Sequence, residues 1–377
     1  MKETKLFELA PRLSHTALGC LIVVAAAATG CGEDDGSTEP ETGSPALAGA
    51  GGMMTTPATP AMPATPAMPA TPATPATPAT PAPALPPGTF AVCERPESAY
   101  FDPGSSAWYV SCMAKNDMPG DGYVTKLNAG ATEVVTAKFV TGLNEPKGIR
   151  VNGGKLYVSD VNALVTADLA TGATLATTTI VGIDPRVPEQ SSLNDVTVDP
   201  TSGNVYVSDN RNDILYRFDS NGASPELLIR GPVLEGPNGL LIDNRDPAAP
   251  RLLIASLGPG LDPMRGVTAK LGAVIAIDLA DLNDGDDEVE TTYLSQRIGN
   301  LDGIELYGND LLVSDFFAGR VMRLTPTVGA PTFDEGDAQI LRQSLANSAD
   351  LGVDVANGLL VVPETSRGTV VQIDLEP

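Results

Sequence analysis

Apolar and polar positions alternate along this chain in short bursts, and the bursts recur at a regular interval. Between Ser192 and Asp209 the chain reads SLNDVTVD, then PTSG, then NVYVSD. The first run alternates apolar and polar positions as a half-buried strand does, PTSG supplies turn residues, and NVYVSD is rich in the β-branched and aromatic residues that suit a pleated surface. Together they predict a β-hairpin. The second half of the unit occurs six times, as AWYVSC from Ala107, KLYVSD from Lys155, NVYVSD from Asn204, RLLIAS from Arg251, DLLVSD from Asp310 and GLLVVP from Gly358. The starts lie 48, 49, 47, 59 and 48 residues apart. Strand-and-turn units repeating at that spacing predict an all-β fold, a β-propeller of six blades.

The blades fall at about Glu97 to Val140, on to Val181, Ser192 to Gly231, on to Arg297, on to Arg342, and from there to the end. The last blade shows only three strands, around Gly352, Leu359 and Val370. Its fourth is expected from Thr89–Val92, at the other end of a domain spanning 89–377, an overlap that closes the ring and leaves no open sheet edge. Two Gly/Pro-rich excursions, 181–191 and 257–272, interrupt the period and either cover the active face or decorate it. DLNDGDDEVE at 281–290 fails the spacing of a calcium-binding loop, because Ala280 and Leu282 fall where ligands are needed, and reads as a solvated acidic turn. Asp160, Asp209 and Asp315, at the ends of second strands, read as turn caps.

Residues 1–30 carry Lys2, Lys5 and Arg12 ahead of an apolar run, Ala17–Ala28, too short to cross a bilayer. This is the layout of a signal peptide. Ala28-Thr29-Gly30-Cys31 resembles the lipobox of bacterial lipoproteins, which implies lipidation of Cys31; a plain secretory peptide cut nearby is the alternative. Gly32 after Cys31 implies, on the same resemblance, the outer rather than the inner membrane of the bacterial cell envelope, with the mature chain extracytoplasmic and touching lipid only through its anchor. Residues 31–88 have no aromatic residue and few large apolar ones, so they form a disordered, Pro/Ala/Thr-rich linker rather than a core. From Pro57 to Pro81 proline falls at every third position, the period of polyproline II, which would make a rod of about 75 Å at about 3.1 Å per residue.

Loss of the signal peptide changes the available chemistry. The single histidine, His15, leaves with it, which excludes Ser-His-Asp and Cys-His catalysis and any His-ligated metal. Of four cysteines only Cys93 and Cys112 remain free to react. They are either two thiols or a disulfide that closes a loop of about 20 residues and contributes roughly 3 kcal/mol. The net charge of −24 becomes −25 without residues 1–30, which hold three basic and two acidic residues. Nucleic acid and anionic headgroups are poor partners for such a surface. A monomer binding a small-molecule substrate or ligand is expected.

Each innermost strand opens with a polar residue one place ahead of a position that is usually glycine: Glu97, Lys147, Asn194, Asn238, Asp302 and Asp350. Equivalent positions in successive blades map onto one ring, so these side chains should converge at the tunnel mouth. Glu97, Asn194, Asn238 and Asp302 offer oxygen donors of the kind a hard divalent cation takes, Ca²⁺ first, with Mg²⁺ or Mn²⁺ as alternatives.

Leu193-Asn194-Asp195, Pro237-Asn238-Gly239 and Leu301-Asp302-Gly303 resemble turns of the senescence-marker-protein/gluconolactonase family, the regucalcin-like six-bladed propellers. That resemblance implies metal ligation by Glu97, Asn238 and Asp302, with Asn194 holding metal or substrate. It also implies hydrolysis of a lactone or related ester, with Asp302 handling the proton and Lys147 taking an oxyanion or acidic group. The chain departs from the family after Glu97, where Ser98-Ala99-Tyr100 replaces the usual Gly-Pro and Trp. Leu143–Ile149 resembles the repeat of NHL propellers instead, which implies the alternative: a non-catalytic propeller binding a cell-envelope ligand or protein.

Overall fold

A computed structural model describes residues 85–113, 119–262, 267–285, 288–325 and 338–375. The signal peptide, Cys31 and the linker up to residue 84 lie outside the described residues, as do residues 263–266 of the second excursion and Asp286 and Asp287 of the acidic stretch. Among the described residues no helix is long and apolar enough to cross a membrane.

Among the described residues, twenty-four strands form six antiparallel sheets of four. After β1 (Thr89–Ala91), blade one contains β2 (Pro96–Asp102), β3 (Ala107–Cys112), β4 (Gly122–Leu127) and β5 (Val134–Leu143). Blade two holds β6 (Pro146–Asn152), β7 (Lys155–Asp160), β8 (Ala163–Asp168) and β9 (Thr174–Thr179), and blade three β10 (Leu193–Val198), β11 (Val205–Asp209), β12 (Ile214–Phe218) and β13 (Glu226–Arg230). Blade four follows with β14 (Pro237–Asp243), β15 (Arg251–Ser256), β16 (Val274–Asp278) and β17 (Thr291–Tyr293), and blade five with β18 (Leu301–Tyr307), β19 (Asp310–Asp315), β20 (Arg320–Leu324) and β21 (Ala338–Arg342). Blade six has β22 (Gly352–Asp354), β23 (Leu359–Glu364) and β24 (Thr369–Asp374), and β1 supplies its outer edge, with Phe90 opposite Val370. The architecture is the expected six-bladed propeller, closed by the expected overlap of its two ends.

The recurrent sequence unit is the second strand of each blade because that strand is buried on both faces. All six residues of β3 and all of β11 and β19 are buried, and such a strand is held to a narrow choice of side chains. Cores form between blades rather than within them. One cluster packs Tyr206 and Leu215 of blade three against Leu240, Leu252 and Ile275 of blade four. Another packs Ala99, Trp108 and Val110 of blade one against Val361 and Val370 of blade six, with Phe90 and Val92 on its margin. Every blade is therefore held by both neighbours, and the loss of one large buried side chain at such an interface costs about 2–5 kcal/mol.

Cys93 and Cys112 are joined in a disulfide with their Cα atoms 6.1 Å apart, tying the segment after β1 to the end of β3. In the acidic stretch Leu279 and Leu282 of helix α1 (Leu279–Leu282) enter the core, and Asp281 accepts the Glu290 N–H at 2.7 Å.

Candidate functional site

A β-bulge sits at the start of each of the first five innermost strands. In blade five Leu301 opposes Asp315 and Ile304 opposes Val313, so Asp302 and Gly303 together face the single residue Ser314. The same shift places Glu97-Ser98 opposite Ser111, Lys147-Gly148 opposite Ser159, Asn194-Asp195 opposite Ser208 and Asn238-Gly239 opposite Ala255. A bulge re-aims the side chain it carries and leaves a backbone N–H without its ladder partner. The opposing serine supplies that partner: the N–H groups of Ser98, Asp195 and Gly303 donate to the Oγ atoms of Ser111, Ser208 and Ser314 at 2.8, 2.9 and 2.8 Å. Ser208 Oγ then donates to the Asn238 carbonyl in the next blade at 2.8 Å, and Ser159 Oγ donates to the Asn194 carbonyl. The serine of the recurrent second strand thus supports the bulge in blades one, three and five and ties blades two and three to the next blade, a role that sequence reading missed although the recurrence was its signal.

In blades two, four and five the second residue of the bulge is glycine because the blades nearly touch at the axis. A Cβ on Gly239 would lie 2.1 Å from the Asp302 carbonyl oxygen, and one on Gly303 2.4 Å from the Leu351 nitrogen. Of the expected turn caps, Asp160 and Asp315 hold the segment before a bulge, accepting the Asn144 and Glu145 N–H groups, the latter at 2.7 Å, and that of Asn300 at 3.2 Å, while Asp209 caps the turn after its own strand, accepting those of Arg211 and Asn212 at 3.2 Å.

Glu97, Lys147, Asn194, Asn238 and Asp302 line one cavity of about 250 Å³. Asp350 does not join them. Ser348 opposes Glu364 as Leu301 opposes Asp315, so Ala349 occupies the sixth ring position and Asp350 takes the place of Gly303 and Asp195, one step along. There its Oδ2 accepts from Ser98 Oγ at 2.5 Å. The register was misread because the innermost strand of blade six is only three residues long.

Of the eight buried side-chain oxygen atoms that lack a hydrogen-bond partner among the described residues, four belong to this ring: Glu97 Oε2, Asn194 Oδ1, Asn238 Oδ1 and Asp302 Oδ1; Asp350 Oδ1 is a fifth. Asn238 turns its Nδ2 to the Leu301 carbonyl at 3.3 Å. No three His, Cys, Asp or Glu side chains meet as a metal-holding group among the described residues; the convergence here is of two carboxylates with two amides.

Burial raises the Asp302 carboxyl to about 7; the Asp195 charge adds to the rise, while Lys147 and a hydrogen bond from Asn238 oppose it. Glu97 is pushed well above the carboxylate range, first by burial and then by Asp302, against Lys147. Two buried carboxylates lining one cavity resist double ionisation unless a positive charge joins them. Lys147 supplies part of that charge, its Nζ donating to Ser192 Oγ at 3.0 Å.

Three residues further along β6 and β18 the tunnel is bridged. Arg150 Nη2 meets Glu305 Oε1 at 3.0 Å, joining blades two and five, which stand opposite each other in a ring of six. The guanidinium also lies 5.3 Å from the Tyr100 ring centre and faces Asp195 and Asp350. The ion pair crosses the tunnel beneath the ring.

The described residues of both excursions, 181–191 between β9 and β10 and 257–262 and 267–272 between β15 and β16, adjoin the end of the blades that carries the ring. Ile183 and Val187 pack on the core beside blade three, and Leu257 lines the ring cavity.

No family model matches the chain, and no curated protein matches it. Among solved structures it is similar to a gluconolactonase from Xanthomonas campestris, at 15% identity with a TM-score of 0.53 over 76% of this chain and 88% of that one. It is also similar to the hydrazine synthase of Kuenenia stuttgartiensis (12%, 0.49, 74% and 96%) and to a chain of a nidogen/laminin complex (14%, 0.46, 64% and 79%). At such identities the likeness is one of fold, and what the gluconolactonase shares with this chain is the six-bladed propeller.

Proposed function

We propose that this chain is a lipid-anchored, extracytoplasmic hydrolase of lactones or related esters that works with a divalent cation held by Glu97, Asn194, Asn238 and Asp302. The observation that carries the reading is the set of four buried, partnerless oxygens on residues that line one cavity. Each such atom costs about 1–3 kcal/mol when left unsatisfied. Once ionised, the carboxylates, like the amide oxygens, only accept, so each water, with two protons to give, satisfies at most two of them, whereas one cation can take all four. Hard oxygen donors without sulfur or imidazole suit Ca²⁺, or else Mg²⁺ or Mn²⁺.

Bound there, the cation would supply Lewis-acid polarisation of the acyl carbonyl. The remaining work falls to the chain. Asp302, a buried carboxylate lining the cavity, is the proton acceptor. It takes the proton of the attacking water as the acyl–oxygen bond of the ring breaks, and returns it to the departing alkoxide. Lys147 and Asn194 hold the substrate oxygens. The Arg150–Glu305 pair closes the tunnel below and limits solvent access from that side. The Cys93–Cys112 disulfide fits an oxidising compartment, in keeping with export and with lipidation at Cys31. Its partners on this reading are a small-molecule substrate and, through the anchor alone, a membrane; nucleic acid is not among them, and the chain works as a monomer.

The test is metal analysis of the purified protein before and after chelation, with lactone hydrolysis followed by acid release. Hydrolysis that disappears with the metal and returns with Ca²⁺ is expected. A metal-free protein that hydrolyses equally well removes the cation, and a metal-loaded protein inactive on all lactones leaves the non-catalytic binding propeller that Leu143–Ile149 resembles.

A further inference from the structure

Above the ring the cavity wall changes character. The residue that follows the second strand lines it in five of the six blades: Met113, Asn210, Leu257, Phe316 and Thr365, with Phe317 beside Phe316. Four of these six are large and apolar. Met113 and Leu257 are buried, whereas Phe317 is 45% exposed at the rim, set edge-on to Phe316 with ring centres 5.2 Å apart.

We propose that the ligand of this site carries a short alkyl chain packed against Met113, Leu257, Phe316 and Phe317, so that the substrate class is an aliphatic lactone rather than a sugar lactone; this rests on the hydrolase reading above. A sugar lactone presents several hydroxyls, and a site selective for it must offer a partner to each. Most polar groups of this cavity are committed on the reading above: Glu97, Asn194, Asn238 and Asp302 to the cation, Lys147 and Asn194 to the ester oxygens, while Arg95 meets Glu145 at 3.4 Å. Asn210 and Thr365 alone remain to meet hydroxyls, against four apolar side chains that would meet them with carbon. The volume agrees: about 250 Å³ is some eight water volumes at about 30 Å³ each, room for a lactone ring and a few methylenes.

The inference is tested by calorimetric binding of two lactams, which resist hydrolysis, to the full Ca²⁺-loaded chain: a butyl-substituted γ-lactam and a polyhydroxylated δ-lactam. The butyl lactam is expected to bind about tenfold more tightly, what burial of roughly two methylenes supplies. Phe317→Ala, at an exposed position that the fold tolerates, should erase most of that preference and Phe317→Leu should keep it. Equal affinity, a preference for the hydroxylated lactam, no binding of either, or indifference to Phe317→Ala overturns the proposal. Hydrolysis of the matching lactones is followed separately. Selective lactam binding without any hydrolysis sinks the hydrolase reading and spares this inference, whereas equal hydrolysis of both classes with equal lactam affinity does the reverse.

Discussion

Replacing Asp302 with Asn should change the stability of the protein in opposite directions with and without a bound cation. Asp302 is buried, and its carboxyl stands near 7 rather than 3.8, first through burial and then through Asp195. An acid raised in the folded state loses its proton near 4 when the chain is unfolded and near 7 when it is folded. Between those values the folded state holds the extra proton, so stability is complete below about pH 4 and falls as pH rises towards 7. A shift of about three units corresponds to about 4 kcal/mol, the cost of ionising Asp302 in the fold with no cation present. Glu97 and Asp350, raised in the same direction, steepen the trend. Asp243 runs the other way: burial raises it, but hydrogen bonds from Arg245 and Arg251 outweigh burial and hold it low. Its contribution is present above about pH 4 and fails only in stronger acid, so it does not intrude above pH 5.

In chelator, the wild-type protein should therefore lose stability between about pH 5.5 and pH 8, while Asp302→Asn, with no charge to bury, loses less and is the more stable of the two at pH 8. In excess Ca²⁺ the order reverses. A cation at a hundred times its dissociation constant adds about 2.7 kcal/mol to the wild type, and little to a variant left with one ring carboxylate. Urea unfolding followed by circular dichroism at the two pH values, with chelator and with Ca²⁺, measures all of this. A variant equally destabilised in every condition, or a wild type indifferent to pH in chelator, would refute the reasoning.

Other substitutions probe the support of the ring. Gly239→Ala drives a Cβ to 2.1 Å from the Asp302 carbonyl; it should cost about 1–3 kcal/mol and abolish the Ca²⁺-dependent rise in melting temperature, while Gly130→Ala, whose Cβ would meet only Thr132 at 3.7 Å, should do neither. Ser314→Ala leaves the Gly303 N–H buried without an acceptor and should cost about 1–3 kcal/mol in urea unfolding, with cation binding weakened alongside. Reduction of Cys93–Cys112, which spans 19 residues, should lower stability by roughly 3 kcal/mol; an unchanged midpoint in reductant would show that closing this loop does not stabilise the fold.

What could be read from the chain followed burial. The second strands β3, β7, β11, β15, β19 and β23 are buried almost throughout, and their repeat located all six blades. Outer strands carry no such imprint: β9 is TLATTT, largely exposed, and β17 is three residues long. The four expected metal-ligating residues, with Lys147, do line one cavity, because each stands first in the bulge that opens its innermost strand. Asp350 failed this pattern. Its Asp-Leu pair imitates the Asp-Gly of blade five, and only the pairing of Ser348 with Glu364 reveals the shift by one. The Arg150–Glu305 bridge was invisible for a different reason: residues 155 positions apart meet only because the blades that carry them face each other across the axis.

The central claim, that Glu97, Asn194, Asn238 and Asp302 together hold one divalent cation, is tested most directly by an anomalous difference map from crystals of the protein grown with Mn²⁺. The account predicts a single strong peak on the propeller axis, within about 2.0–2.6 Å of one oxygen from each of the four residues. A map with no peak there, or with those oxygens turned to hydrogen-bonded waters, would contradict it.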